Sequence, residues 1–389
     1  MESYPLSDVR VIELGEYVSA PYAAKLLADL GASVIKVENP RGGDEARRAG
    51  PFIDGIPHPE KSALFLHLNT NKKGITLDFR TETGWALLAQ LISRADILVG
   101  NLGPGALDYL KLRAGNPRLI TVSISCFGEE GPYAAYRGAD IVAQALGGVM
   151  KLTGFPDREP LKIAGPQGEY LAGLNAALVA MAALHFRDES GHGQHIEISS
   201  MECMASILEG ALTGFAYDGS QRRRDGPRHP TAYPSTILPS KDGFVHVDAS
   251  GDWETFARFM GIPEPERFKP EELRERADEI DALLIPRLAE RSREEWFHEA
   301  QAWRLPFAMV LSVDELPPDP QFQARGFFTE IAHPVAGPLL QAGAPFQVKG
   351  ARRPAGRAPL LGEHNEEVYR GMLGYTAQEL SQLRGMGVI

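Results

Sequence analysis

The chain has 389 residues, 43% hydrophobic and 23% charged, enough apolar content and length for two compact domains with substantial cores. A net charge of -11 argues against nucleic acid or an anionic membrane surface as partner, so an anionic ligand would need a locally basic pocket. The two cysteines, Cys126 and Cys203, are far apart and form no CxxC, which points to neither a disulfide framework nor a metal site. The stretch Met1-Glu2-Ser3-Tyr4-Pro5 lacks a basic and an apolar region. Gly, charged or polar residues interrupt every apolar run short of a membrane span, so a soluble, cytoplasmic protein is expected.

In chain order, Val9–Leu14 reads as a strand, Ala20–Leu30 as a helix and Val34–Val37 as a strand. Gly84–Ser93 reads as a helix, Ile97–Val99 and Ile120–Ile124 as strands, and His195–Ile198 as a further strand. Short β-branched runs alternating with helices predict an α/β fold built on a parallel sheet. The first turn, Gly15-Glu16-Tyr17-Val18-Ser19-Ala20-Pro21, carries no G-x-G-x-x-G. A dinucleotide site with Glu38 on the ribose is therefore a poor reading.

Between Ile124 and His195, Gly165-Pro166-Gln167-Gly168 sets off Glu169 at the start of a helix. Leu171, Leu174, Leu178, Met181 and Leu184 fall on one stripe, which predicts a buried helix. An acid at a helix start meets unpaired backbone N–H groups, which are expected to keep it ionised. Such an acid can simply complement the helix dipole, or it can serve as a nucleophile. Beyond Gly219 the composition changes: residues 222–230 are turn-rich and basic, Phe244–Val247 starts a new β element, and Pro270–Trp303 is charge-rich and helical.

Several short words are placed in a telling order. They run Val9-Arg10-Val11-Ile12-Glu13-Leu14, Leu27-Ala28-Asp29-Leu30-Gly31-Ala32, Val34-Ile35-Lys36-Val37-Glu38-Asn39-Pro40 and Asn71-Lys72-Lys73. Phe127-Gly128-Glu129-Glu130-Gly131-Pro132, Glu169-Tyr170-Leu171-Ala172-Gly173 and Ala358-Pro359-Leu360-Leu361-Gly362-Glu363-His364 follow. Together they resemble, nearly end to end, the class III CoA-transferases of the CaiB/BaiF type, which include formyl-CoA transferase, carnitine CoA-transferase and the 2-methylacyl-CoA racemases. Glu169 stands where that family usually writes Asp, one methylene longer.

The resemblance implies a large Rossmann-like CoA-binding domain (residues 1–219 and 314–389), an inserted smaller α+β domain (220–313) and an interlocked homodimer. It implies transfer of CoA from an acyl-CoA to a small carboxylic acid through a mixed anhydride or thioester on Glu169, with CoA as substrate and no tightly bound cofactor or metal. It also implies CoA contacts from Val18, Ser19, Asn39, Lys72, Asn101, Leu102, Gly103 and Arg137. Lys72 and Arg137 have the charge a phosphate requires. Substrate selection is expected to involve His229, Tyr233 and Trp253.

Three departures argue against formyl-CoA and oxalate as substrates. Leu102 replaces an aromatic, Tyr109 replaces a basic residue, and the Gly-rich lid has no counterpart. The racemase branch writes Gly-His-Asp where this chain has Gly138-Ala139-Asp140, so the His that would shuttle a proton is missing. His185 and His195 do not align with it. A non-catalytic chain of a heteromeric transferase is the remaining alternative.

Overall fold

The computed structural model describes residues 4–208, 210–349 and 356–389; Met1, Glu2 and Ser3 of the N-terminal stretch lie outside them. β1 (Arg10–Leu14), β2 (Ser33–Glu38), β3 (Lys73–Thr76), β4 (Ile97–Gly100), β5 (Ile120–Ser125) and β6 (His195–Ser199) form one parallel sheet. Its order is β3-β2-β1-β4-β5-β6, a Rossmann-like arrangement. Alternation along the strands sends Ile12, Leu14, Ile35 and Leu98 into one core and Val11, Val34, Ile97 and Val122 into the other. Both faces of the sheet are thereby covered. β3, a short edge strand, escaped the sequence reading because Lys73 and Gly74 interrupt its apolar pattern.

The helices of this half are α1 (Ser19–Asp29), α2 (Ala63–Leu68), α3 (Glu82–Ile92), α4 (Tyr109–Ala114), α5 (Asp140–Leu146), α6 (Val149–Leu152), α7 (Gln167–Ser190) and α8 (Ser200–Ser206). The expected stripe on α7 holds only in part: Leu184 is buried and Met181 and Leu171 pack against the core, but its two middle leucines face outward. Leu174 and Leu178 are 49% and 57% exposed, while Ala172, Ala176, Ala177, Ala180 and Ala183 face the core. The reason is the closeness of α1: a Cβ added at Gly173 would lie 2.5 Å from the Ser19 carbonyl oxygen, so only small side chains fit that face. By length and composition α7 would also pass as a membrane span, contrary to the sequence reading. Its small-residue face is packed on the sheet and α1.

By its internal contacts the chain divides into two units. The first comprises Met1–Val149, Lys162–Leu212 and Gln323–Ile389, the second Met150–Leu161 and Thr213–Phe322. Both differ from the boundaries at 219 and 313, and residues 150–161 join the second unit. In the first unit the C-terminal segment covers the β3 edge: Thr76 N–H donates to Asn365 Oδ1 at 2.9 Å, and the Tyr369 hydroxyl to the Thr76 carbonyl at 2.8 Å.

The second unit holds an antiparallel sheet of β7 (Ser235–Ser240), β8 (Gly243–Asp248) and β9 (Ala308–Met309). Its charge-rich stretch forms two helices, Ala277–Leu288 and Arg293–Ala302, the latter opened by a Ser292/Glu295 capping box. Phe256, Ile280, Leu284 and Trp296 anchor its core. Tyr233 and Trp253 belong to that core, and His229 Nδ1 accepts from Ala232 N–H at 3.0 Å. All three therefore have local structural tasks within this unit.

Candidate active site

In a doubly wound sheet, the strand order reverses between β1 and β4, and the chain leaving their C-terminal ends opens a crevice. The loop Gly15–Val18 follows β1, and Asn101–Gly103 follows β4. Asn101 splints the two. Its Oδ1 accepts from Glu16 N–H at 2.9 Å, and its Nδ2 donates to the Glu16 carbonyl at 2.8 Å and the Ser19 hydroxyl at 2.9 Å.

A cavity of about 200 Å³ lies over this crevice, lined by Ser19, Asn101, Leu102, Gly103, Cys126 and Glu169 among others. Ser19, Asn101, Leu102 and Gly103, four of the residues picked out in the sequence, thus share a cavity with the acid. Glu169 occupies the first turn of α7, and Gly173, one turn on, lets that helix close onto α1. Across the contact, Glu169 Oε2 accepts the Ser19 backbone N–H at 3.2 Å.

The expected electrostatics are reversed in two respects. The N–H groups at the start of α7 do not serve Glu169: those of Gly168 and Glu169 donate to Asp140 Oδ1 at 2.7 and 3.2 Å. The amide that meets the Glu169 carboxylate belongs to the start of α1. Nor is Glu169 held at an ordinary acidity. Burial pushes its pKa up and the nearby Asp140 charge adds to this, while the Ser19 hydroxyl and amide oppose them by favouring the ionised form. Among the described residues no Lys, Arg or His forms an ion pair with Glu169.

Lys72 lies elsewhere, and its expected place on a phosphate is corrected by its surroundings. It is 4% exposed. Its ammonium group meets Glu13 Oε2 at 2.7 Å, the Pro21 carbonyl at 2.8 Å and Asn69 Oδ1 at 2.8 Å, which uses all three protons. Desolvation lowers its pKa to about 8 despite Glu13. Arg137, by contrast, is exposed next to the cavity-lining Tyr136 and Gly138. Val18 is fully buried at the start of α1, and Asn39 turns its Oδ1 to Arg41 N–H at 2.9 Å.

Cys126 and Asp140 were missed in the sequence. The position of Cys126, directly after a parallel strand, was the available signal. A Cβ at Gly138 would sit 2.1 Å from the Cys126 Cβ, so that glycine lets the following loop fold over the strand end. Asp140 had no local signal, since it opens α5 yet bonds the start of α7. Tyr109 is buried and stacks on His195 at 4.9 Å, facing away from solvent.

The sequence matches the family model described as CoA-transferase family III over residues 6–365. It is 34% identical to the succinyl-CoA–D-citramalate CoA-transferase of Chloroflexus aurantiacus, covering 99% of this chain and 98% of that protein. It is 31% identical to a succinyl-CoA–L-malate CoA-transferase alpha subunit from Chloroflexus aurantiacus, over 100% of this chain and 93% of that one. Among solved structures, a CAIB/BAIF family protein from Brucella suis superposes with a TM-score of 0.84 at 32% identity, covering 95% of this chain and 100% of that chain. With the sheet order, the crevice and the acid already in place, these likenesses leave one assignment: the chain belongs to CoA-transferase family III.

Proposed function

We propose that Glu169 is the nucleophile of a CoA-transferase that moves CoA from an acyl-CoA to a free carboxylate. The observation that carries this reading is a half-buried carboxylate at the switch-point crevice with a backbone donor and, among the described residues, no cationic partner. Partial desolvation without a counter-charge leaves its oxygen reactive. A Glu169 oxygen adds to the thioester carbonyl, the C–S bond breaks, and CoA leaves as thiolate with the mixed anhydride on the enzyme. The thiolate then attacks the glutamyl carbonyl, releasing the first acid and forming an enzyme thioester. The acceptor carboxylate and the returning thiolate repeat the two steps in reverse, which regenerates Glu169 and yields the new acyl-CoA.

A cavity of about 200 Å³ is smaller than the ~300–1,000 Å³ of drug-sized ligand sites, so it suits the acyl end of the thioester and not the nucleotide. Ser19, Asn101, Leu102 and Gly103 form its wall, Val18 and Asn39 shape the adjoining loops, and Arg137 supplies uncommitted positive charge for CoA. Succinyl-CoA, the donor named for two relatives, is the first substrate to try. The exposed Ile141, Leu146, Leu174, Leu178, Ile207 and Leu212, on and beside the mutually packed α5, α7 and α8, suit burial in the interlocked homodimer.

The test is to mix the purified chain with succinyl-CoA and trap the acylated residue with hydroxylamine or borohydride. Modification at Glu169 supports the reading. No adduct until a second type of chain is added would instead identify an incomplete member of a heteromer, the reading that the alpha-subunit relative makes specific. Light scattering of Leu174→Asp/Leu178→Asp should show monomers where the unmodified chain is dimeric.

A further inference from the structure

We propose that Asp44, clamped by Lys36, is a positioning residue that sets the loop from which Ser19 meets the nucleophile. The inference rests on Glu169 being that nucleophile. Asp44 lies outside the cavity and is 1% exposed. Its Oδ1 accepts the Tyr17 N–H at 2.8 Å and the Ala46 N–H at 2.7 Å, and its Oδ2 pairs with Lys36 Nζ at 2.7 Å. Lys36, fully buried, gives its remaining protons to Glu13 Oε1 at 2.7 Å and the Gly15 carbonyl at 2.9 Å. One ion pair therefore grips the loop at both Gly15 and Tyr17.

Tyr17 is the reason a grip is needed. Its φ of +66° is left-handed, a conformation that strains an ordinary L-residue and persists only where the surroundings enforce it. Tyr17 is two residues from the Ser19 amide that donates to Glu169 Oε2, so its relaxation would swing Val18 and that amide. Asn101 holds the same loop from its other side through Glu16. The groups that face Glu169 directly are Ser19 on α1 and the Asp140 carboxylate at the start of α5, and Cys126 senses its charge from the end of β5. Asp44 acts on Glu169 only through Ser19.

Two substitutions separate geometry from charge. Asp44→Glu keeps the charge opposite Lys36 and displaces the acceptor, whereas Asp44→Asn keeps one acceptor oxygen, removes the charge and sets an NH2 donor where Oδ2 meets the Lys36 ammonium. Positioning predicts that D44E slows Glu169 acylation by succinyl-CoA at pH 7 by about 10-fold or more, as misplacements near 1 Å do. It should also move the acid limb of the rate profile to higher pH, since Glu169 loses a donor that favours its ionised form. D44N, which breaks the ion pair that grips the loop, should move the limb the same way and melt at a lower temperature, whereas a direct effect of the lost negative charge would move it to lower pH. Tyr17→Gly, which accepts φ > 0 without strain, should restore much of the rate to D44E.

A wild-type limb and rate per folded site in either Asp44 variant, a limb moved to lower pH in D44N, or no restoration by Y17G would each overturn the proposal. If one Asp44 variant fails to fold, the limb of the other decides. Absence of any adduct in the wild-type chain would count against the nucleophile itself, a different outcome from an adduct whose pH profile ignores Asp44.

Discussion

Asp44 and Glu169 are two carboxylates of the same unit with opposite electrostatic fates. Asp44 is buried and loses solvation, yet Lys36 and the Tyr17 and Ala46 amides hold its pKa below the usual carboxylate range. Glu169 is only partly withdrawn from water, but with one backbone amide, one hydroxyl and a like charge nearby its pKa rises. Burial alone does not make a carboxylate reactive. What distinguishes the two is the company each keeps: a buried acid with a cation becomes a strut, and a half-buried acid without one remains available for chemistry.

The largest effect should come from removing the acid proposed to react. Glu169→Gln keeps the shape and loses the proposed nucleophile, so CoA exchange should fall to background while circular dichroism and CoA binding stay near wild type. Turnover retained in that variant would erase the contrast. Removing the strut's cation should instead appear in stability. Lys36→Met leaves Glu13 and Asp44 buried without their shared partner and should cost about 3–5 kcal/mol in urea unfolding. A loss under 1 kcal/mol would mean that the network relaxes around the gap.

A third comparison sets two basic residues against each other. Arg137→Ala should weaken CoA binding by ~10- to 100-fold, the range for a hydrogen bond to a charged group, with a smaller loss at high salt. Lys72→Ala should mainly lower the melting temperature, because its ammonium group is already spent on Glu13, Pro21 and Asn69. Calorimetry and thermal melts on the same two variants check both. A larger binding loss for Lys72 than for Arg137 would reverse the assignment.

The smallest effect is one of pH. The folded pKa of Glu169 is raised, so the folded state binds more protons than the unfolded state between about pH 4.5 and that raised value. The stability Glu169 contributes is therefore greatest in acid and declines as pH rises through the window. The difference in melting temperature, Glu169→Gln minus wild type, should increase over the same interval and then level off. A flat difference would mean that its pKa is unperturbed.

The parallel sheet was readable from the alternation of β-branched runs, because that pattern records burial on both faces. Glu169 was readable from its glycine-flanked helix start, and Ser19 and Asn101 through resemblance. Less legible was anything decided by contact between distant segments. The stripe of Leu174 and Leu178 obeys helical spacing, yet the core selected the alanines because α1 comes so close. Lys72 carries a phosphate-binding charge in sequence, but Glu13, on β1, claims it. Asp140 caps a helix that begins 27 residues after it, a relation no local pattern records.

The contact at Gly173 couples two positions that a motif prints as separate letters. The helix can approach α1 only because nothing projects at 173, and the same approach fixes how far a side chain at 169 must extend to meet Ser19. Clearance at one position and reach at the other form a single gauge. Shortening the acid to Asp withdraws the oxygen by one methylene, and adding a methyl at Gly173 drives the helices apart, so both changes should open the same gap. Exchanging Asp and Glu at position 169 is thus a problem of helix spacing as much as of carboxylate chemistry, and Gly173, which sets that spacing, lies outside the cavity lining.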